Sequence, residues 1–262
     1  MEENAEVVYE VDGPVARVTI NRPDRRNSMS YGVMGGLLAS MRAARADDSV
    51  RVVVLTGAGD RAFCAGADLT GIAQNASAAE VHEGRGLLAD LFREMYSLGK
   101  PTIARGRGYA LAGGFGLALA CDHVIASDDS QFGTPEVNVG LWPYMITVPI
   151  LRSMPPKKAL ELMSTGRRVG AEEGARIGFV NRVVPAEELD AAVEELVATL
   201  ASKSPLIMRW GRDSFYRVLE MPDSDDALAY LQNMLTITTT TEDAAEGVRA
   251  FVEKRQPEWK GR

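Results

Sequence analysis

Cysteine and histidine are scarce: Cys64, Cys121, His82 and His123 are the whole supply in 262 residues. So thin a set makes neither a disulfide framework nor a metal-ligand cluster, so no metal is expected and a reducing cytoplasm fits. An excess of basic charge is lacking too. The net charge of −7 argues against a nucleic-acid footprint, and Lys254, Arg255, Lys260 and Arg262 are interspersed with Glu253 and Glu258. No apolar run approaches the ~20 residues that a membrane span needs. The start, MEENAEVVYE, is acidic where a signal peptide is basic and then apolar. A cytoplasmic protein with neither nucleic-acid nor membrane partners is therefore expected. With 46% hydrophobic residues the chain has material for one large core and a smaller appendage.

What the sequence does have is glycine in one telling place. Between Gly106 and Gly140, the run Ala112-Gly113-Gly114-Phe115-Gly116 leads into Leu117, Ala118, Leu119 and Ala120, a loop turning into a small-residue helix. Such a helix start offers unpaired N–H groups and the positive end of a dipole, which suit a negatively charged oxygen. A dinucleotide motif starting at Gly106-x-Gly108 would need glycine at Leu111. A phosphate-binding P-loop starting at Gly108 would need lysine at Gly114. Close helix packing explains the same glycines equally well, and the residues alone leave both readings open.

Along the chain, Val7–Val11 and Val15–Ile20 flank Asp12-Gly13, a hairpin signal. Ser30 is a suitable N-cap for a helix with Val33, Met34, Leu37, Leu38 and Met41 on one face. Arg51–Thr56 reads as a buried strand running into a small-residue loop, Gly57–Asp68, and a helical pattern extends from about Ala78 to Leu98. Pro101–Arg105, His123–Ala126, Gln131-Phe132 and Phe179–Val184 read as further strands. Helices are expected at Leu189–Leu200, Leu206–Leu219, Ala227–Ile237 and Ala244–Val252. Repeated strand, loop and helix units predict an α/β fold with ligands at the strand ends.

Several segments together carry a resemblance. Asn21-Arg22-Pro23 with Asn27, Ala62 to Leu69 (AFCAGADL), Lys100-Pro101, Gly108-Tyr109-Ala110 with Gly113-Gly114, and Gln131 to Glu136 (QFGTPE) with Gly140 resemble the enoyl-CoA hydratase/isomerase, or crotonase, superfamily. The similarity runs in order over nearly the whole chain. It implies a spiral of β-β-α units, here residues 1–200 with the active site, and a helical carboxy-terminal region, 201–262, that trimerises, commonly as a dimer of trimers. It also implies acyl-CoA thioester substrates and no separate cofactor, since coenzyme A enters with the substrate. Carried over by position, the backbone N–H groups of Ala67 and Gly113 become the oxyanion-hole donors and Glu136 the proton-transfer group. The Ala65, Gly66, Asp68 and Leu69 backbone falls where the family cradles adenine, and Gly114 adjoins the second donor. Arg25 and Arg26 fall where basic residues approach the CoA phosphates.

One departure from the family pattern shapes the expected chemistry. Hydratases of the family hold water between two glutamates; the second matches Glu136, but Gly116 stands at the first. A single carboxylate suffices to lift a proton from one carbon and return it at another, so double-bond isomerisation of an enoyl-CoA is expected. The alternatives are 2-enoyl-CoA hydration by Glu136 alone and, in another class, a non-catalytic acyl-CoA-binding or assembly protein. Dienoyl-CoA isomerases and dehalogenases of the superfamily use a further acid downstream, and Gly140–Ile150 contains none. Trp142, with Tyr144 and Met145, suits an apolar wall for the acyl chain, or ordinary core packing. Asp122, His123 and Ser127 lack a nucleophile-elbow motif, so His123 is read as structural.

Overall fold

The computed structural model describes residues 6–68 and 77–262. It opens with the hairpin that Asp12-Gly13 predicts: β1 (Val7–Asp12) pairs antiparallel with β2 (Val15–Ile20), Val7 opposite Ile20. Helix α1 (Tyr31–Ala46) begins at Ser30, whose Oγ accepts from the Val33 N–H at 3.0 Å, and it buries Val33, Met34, Leu37, Leu38 and Met41. Next come β3 (Val52–Gly57) and β4 (Ala62–Cys64). Helix α2 (Ala78–Tyr96) then starts from a capping box in which Ser77 and Glu80 satisfy each other's backbone donors.

From there the chain repeats one unit. β5 (Thr102–Gly106), β6 (Tyr109–Leu111) and α3 (Gly113–Ala120) are followed by β7 (His123–Ser127) and β8 (Gln131–Gly133), and then by a 3-10 turn, Pro135–Val139. In each unit the first strand enters a six-stranded sheet, ordered β1-β2-β3-β5-β7-β10, and the second a four-stranded sheet, ordered β4-β6-β8-β9. Each turn of the spiral therefore feeds both sheets. Pairing along β2-β3-β5-β7-β10 and along β4-β6-β8 is parallel, while β8 meets β9 antiparallel.

The remaining elements are α4 (Thr147–Ser153), α5 (Pro156–Thr165), β9 (Arg168–Gly170), α6 (Ala171–Ile177), β10 (Arg182–Val184), α7 (Leu189–Ala201), α8 (Pro205–Leu219), α9 (Ser224–Thr238) and α10 (Glu242–Glu253). Helix α3 is almost wholly buried, and Phe115 on it meets Phe132 and Phe179 with ring centroids 5.2–5.8 Å apart. Those tilted contacts stabilise the core by about 0.5–1.5 kcal/mol each beyond the area they bury. Asp122 fixes α8 to this body. Its carboxylate accepts from Thr102 N (2.8 Å), Arg212 Nε (2.8 Å) and Tyr216 Oη (2.5 Å), while Arg212 also donates to the Met95 and Tyr96 carbonyls at the end of α2. Ser127 Oγ lies 2.5 Å from Asp129 Oδ1 and 3.0 Å from Ser130 Oγ, and burial lowers the His123 pKa. Asp122 and Ser127 are thus engaged in holding the fold together.

Candidate active site

Three parallel strands of the smaller sheet end side by side. In register, Cys64 lies opposite Ala110 and Leu111 opposite Gly133, so the chain leaves β4, β6 and β8 on one edge, carrying Ala67, Gly113 and Glu136 within three residues of each strand end. Carboxy-terminal strand edges are where α/β folds present ligands, because loops there are free of the sheet's own pairing.

The first loop is held by backbone bonds to the segment before α1. Ala65 N donates to Arg26 O (3.1 Å), Met29 N to Gly66 O (2.8 Å) and Asp68 N to Met29 O (2.9 Å), which makes a short parallel bridge of Met29 with Ala67. Ala67 itself is exposed, and among the described residues its N–H donates to no backbone carbonyl. Asn27 secures the segment beneath. It is buried, with Nδ2 donating to Ala58 O (2.9 Å) and Ala62 O (2.6 Å) and Oδ1 accepting from Arg22 N (3.0 Å).

The second loop stands against the first. Gly66 adopts φ +99°, and a methyl group there would lie 2.7 Å from Ala112 Cβ, 3.1 Å from Leu111 O and 3.7 Å from Gly113 N. Only glycine combines that backbone angle with so close an approach. At Gly114 a methyl group would overlap the Cys64 carbonyl, so the turn of α3 packs directly on β4. Ala112 has φ +53° and ψ −129°, a strained conformation for a residue with a Cβ. It is pinned by its N–H to Gly133 O at 2.8 Å, and its carbonyl takes the Phe115 and Gly116 N–H groups. The strain turns the chain sharply from β6 into α3 and leaves Gly113 N–H, at the first helical position, without a backbone acceptor among the described residues.

Glu136 sits in the 3-10 turn after β8, and its carbonyl accepts from Leu141 N at 3.0 Å. Burial raises its pKa, opposed by a weaker backbone hydrogen bond. Its Oε2 is buried and has no hydrogen-bond partner among the described residues. A carboxyl with one buried oxygen left unpartnered is suited to accept a proton.

Gly116, where the resemblance would place a glutamate, is buried in α3. A methyl group there would fall within the Ile146 side chain, 2.6 Å from its Cβ, and 3.4 Å from Phe92 Cζ. Hydrocarbon fills that place. Trp142 is half-buried and packs against the main core with Met145, while Tyr144 is 77% exposed. Arg25 and Arg26 are both exposed; Arg26 also contributes its backbone carbonyl to the first loop. Leu69 lies outside the described residues. Arg22, Ala112 and Ile146 are neighbours of the site to which sequence reasoning gave no role of their own. Ala112 offers no sequence signal, because its unusual φ belongs to a residue type that normally avoids it.

Residues 10–262 match the family model described as enoyl-CoA hydratase/isomerase. The chain belongs to this family. Carnitinyl-CoA dehydratase of Proteus mirabilis is 37% identical over 260 residues, covering 95% of this chain and 96% of that protein. The crystal structure of enoyl-CoA hydratase from Mycobacterium smegmatis superposes with a TM-score of 0.93 at 33% identity, covering 98% of this chain and 99% of that one. That from Bacillus anthracis gives 0.93 at 31% identity, with 98% and 100% covered. The fold is therefore the crotonase spiral, and the protein is an acyl-CoA enzyme of the hydratase/isomerase family. Among the described residues no helix is long and apolar enough to cross a membrane, and no cluster of His, Cys, Asp and Glu has the makings of a metal site.

Proposed function

We propose that this hydratase/isomerase-family enzyme shifts the double bond of an enoyl-CoA thioester. Glu136, as carboxylate, removes a proton from the α-carbon of a 3-enoyl-CoA, and the electron pair spreads into a dienolate whose negative oxygen is held by Ala67 N–H and Gly113 N–H. Protonated Glu136 then returns the proton to the γ-carbon, which leaves the conjugated 2-enoyl thioester. Each aimed donor contributes about 2.7–4 kcal/mol to such a step. A well-placed general base contributes roughly 10²–10⁴-fold. No cofactor enters beyond the coenzyme A of the substrate. The exposed Arg25 and Arg26 suit its phosphates, the backbone of residues 65–68 and Gly114 suits the rest of its approach, and half-buried Trp142 suits an acyl chain.

The observation that carries this reading is the hydrocarbon at Gly116. Ile146 and Phe92 occupy the space into which a second carboxylate would extend, so a water held between two acids has no counterpart here. The names of the relatives favour a second reading, hydration of 2-enoyl-CoA or its reverse, the dehydration of a 3-hydroxyacyl-CoA, by Glu136 alone. Incubation with 3-enoyl-CoA and 2-enoyl-CoA panels separates the two by chromatography coupled to mass spectrometry: the isomerase turns 3-enoyl-CoA into a product of unchanged mass that co-elutes with 2-enoyl-CoA, whereas faster gain of the mass of water from 2-enoyl-CoA overturns it. Absence of turnover on both panels would favour a non-catalytic binder.

A homotrimer or dimer of trimers in the cytoplasm completes the proposal, with residues 1–200 carrying the site and 201–262 the assembly surface. Leu228 and Leu235 on α9 are 64% and 66% exposed and Phe251 on α10 is 84% exposed, and Leu235 lines an apolar groove of about 450 Å³ with Trp210, Phe215 and Leu231. Monomers rarely leave so much hydrocarbon in water. Light scattering at micromolar concentration is expected to give three or six times the monomer mass, and a strictly monomeric mass contradicts the assembly.

A further inference from the structure

Arg22 occupies a central place among the loops of the site. It follows β2, and its guanidinium reaches three ways: Nη2 donates to Asp68 Oδ2 at 2.8 Å, Nη1 to Ser28 O at 2.7 Å, and Nε faces Glu6 Oε1 at 2.9 Å. Glu6 is itself held, since its Oε2 accepts from Ser30 Oγ, the N-cap of α1, at 2.7 Å. The Arg22 side chain is 17% exposed and that of Asp68 10%, so water screens this pair far less than an open surface pair. A planar fork with donors in fixed directions constrains its partners as a flexible ammonium does not.

Asp68 is the residue after Ala67, and the backbone of this loop meets the segment before α1 through Ala65 N to Arg26 O, Met29 N to Gly66 O and Asp68 N to Met29 O. The last two of these bonds flank Ala67, one on each side. The bond from Arg22 to Asp68 adds a side-chain attachment directly beyond the Ala67–Asp68 peptide, and the bond to Ser28 O fixes the opposite side of the same bridge. We propose that Arg22 is a positioning residue which, through Asp68, aims the Ala67 N–H at the thioester oxygen. The proposal rests on the enolate chemistry above. It assigns the Asp68 side chain to the protein's own framework, leaving its backbone for the substrate.

The test uses the full-length protein and a chromophoric arylacryloyl-CoA, whose absorption moves to the red when its thioester carbonyl is polarised. Arg22→Ala and Asp68→Asn are each expected to lower kcat by roughly 10–100-fold while KM changes less than about threefold, because a donor misplaced by an ångström weakens the transition state more than the bound substrate. Both variants, saturated with the probe, are expected to lose about half or more of its red shift, with Arg22→Lys intermediate in both readouts. Asp68→Asn keeps the shape, so it reports on the clamp if Arg22→Ala fails to fold. A red shift at saturation equal to that of the unaltered protein overturns the clamp alone, as does a loss of kcat explained by a lower folded fraction. Absence of any red shift in the unaltered protein removes the oxyanion-hole reading and the clamp with it, whereas full turnover in Glu136→Gln removes the proton-transfer assignment and leaves the clamp standing.

Discussion

Glu136→Gln is expected to lower kcat by roughly 10²–10⁴-fold, the contribution of a placed general base, while acyl-CoA affinity stays within a few-fold of the unaltered protein. Glutamine keeps the shape of the side chain and removes only its ability to take a proton, so the loss should appear in kcat with little change in KM. The same variant is expected to be more stable at neutral pH. Burial raises the Glu136 pKa, so in the folded state the carboxyl holds its proton to a higher pH than in the unfolded chain. The stability it contributes is complete below the unfolded-state pKa and is lost as the pH rises through the raised folded-state value. Glutamine does not ionise. The melting temperature of Glu136→Gln should therefore exceed that of the unaltered protein at about pH 8 and converge with it below about pH 4. In the unaltered enzyme kcat/KM should rise with pH through the same raised pKa. Unchanged turnover in the variant would sink the assigned role.

Gain of stability with loss of turnover is what a functional carboxylate should show. A carboxyl with both oxygens engaged in capping local N–H groups would leave neither unpartnered, and Gln at its place would destabilise the turn. Glu136 Oε2 instead is buried and unpartnered among the described residues. A buried oxygen left open in this way is what the proposed proton-transfer role requires.

Sequence periodicity made the larger elements legible. Ser30 with Val33, Leu37 and Met41 announced α1, and the four helices from Leu189 onward run within a few residues of their apolar patterns. What the sequence left hidden is short. Strands β4, β6 and β9 have three residues each, too few to display an alternation, and β4 lies in a stretch whose small residues read as loop. Two of them, β4 and β6, lead into the candidate site. Helices α4, α5 and α6 also escaped, since Pro149 and Pro156 interrupt the apolar pattern and Gly174 weakens it.

The site was legible in part by its glycines and by Glu136, and the structure adds reasons that no residue type announces. Gly114 is demanded by a carbonyl of a different strand, and Gly66 by a neighbouring Cβ, both contacts between residues about 45 positions apart or more in the chain. Glycine in a sequence says that room is needed without saying for what. Gly116 is the sharpest case. As a sequence feature it is a missing carboxylate; in the fold it is the floor on which Ile146 rests.

That contact changes what a restored glutamate should do. Gly116→Glu alone is expected to disrupt the fold before it tests the chemistry, because even the Cβ would lie 2.6 Å from Ile146 Cβ and nearer still to its Cγ2, with Phe92 Cζ at 3.4 Å. Overpacking a core by several atoms destabilises it by typically about 1–3 kcal/mol or more, and a carboxylate pressed among Ile146 and Phe92 adds a desolvation cost. Ile146→Ala alone should also destabilise, by about 2–5 kcal/mol, through the cavity it opens. The pair should be less harmful than the sum, since the new side chain enters the space that the isoleucine leaves; residues in contact couple in this way. In the folded, oligomer-matched double variant, the ratio of 2-enoyl-CoA hydration to 3-enoyl-CoA isomerisation is expected to rise at least about tenfold, the lower end of what a placed proton-transfer group contributes being ~10². Two carboxylates facing one water would raise one another's pKa, so the gain should grow toward higher pH. A double variant that folds, binds the thioester and leaves the ratio where it was would show that the hydrocarbon at Ile146 does not decide between water and proton transfer, and hydration by Glu136 alone would become the better reading.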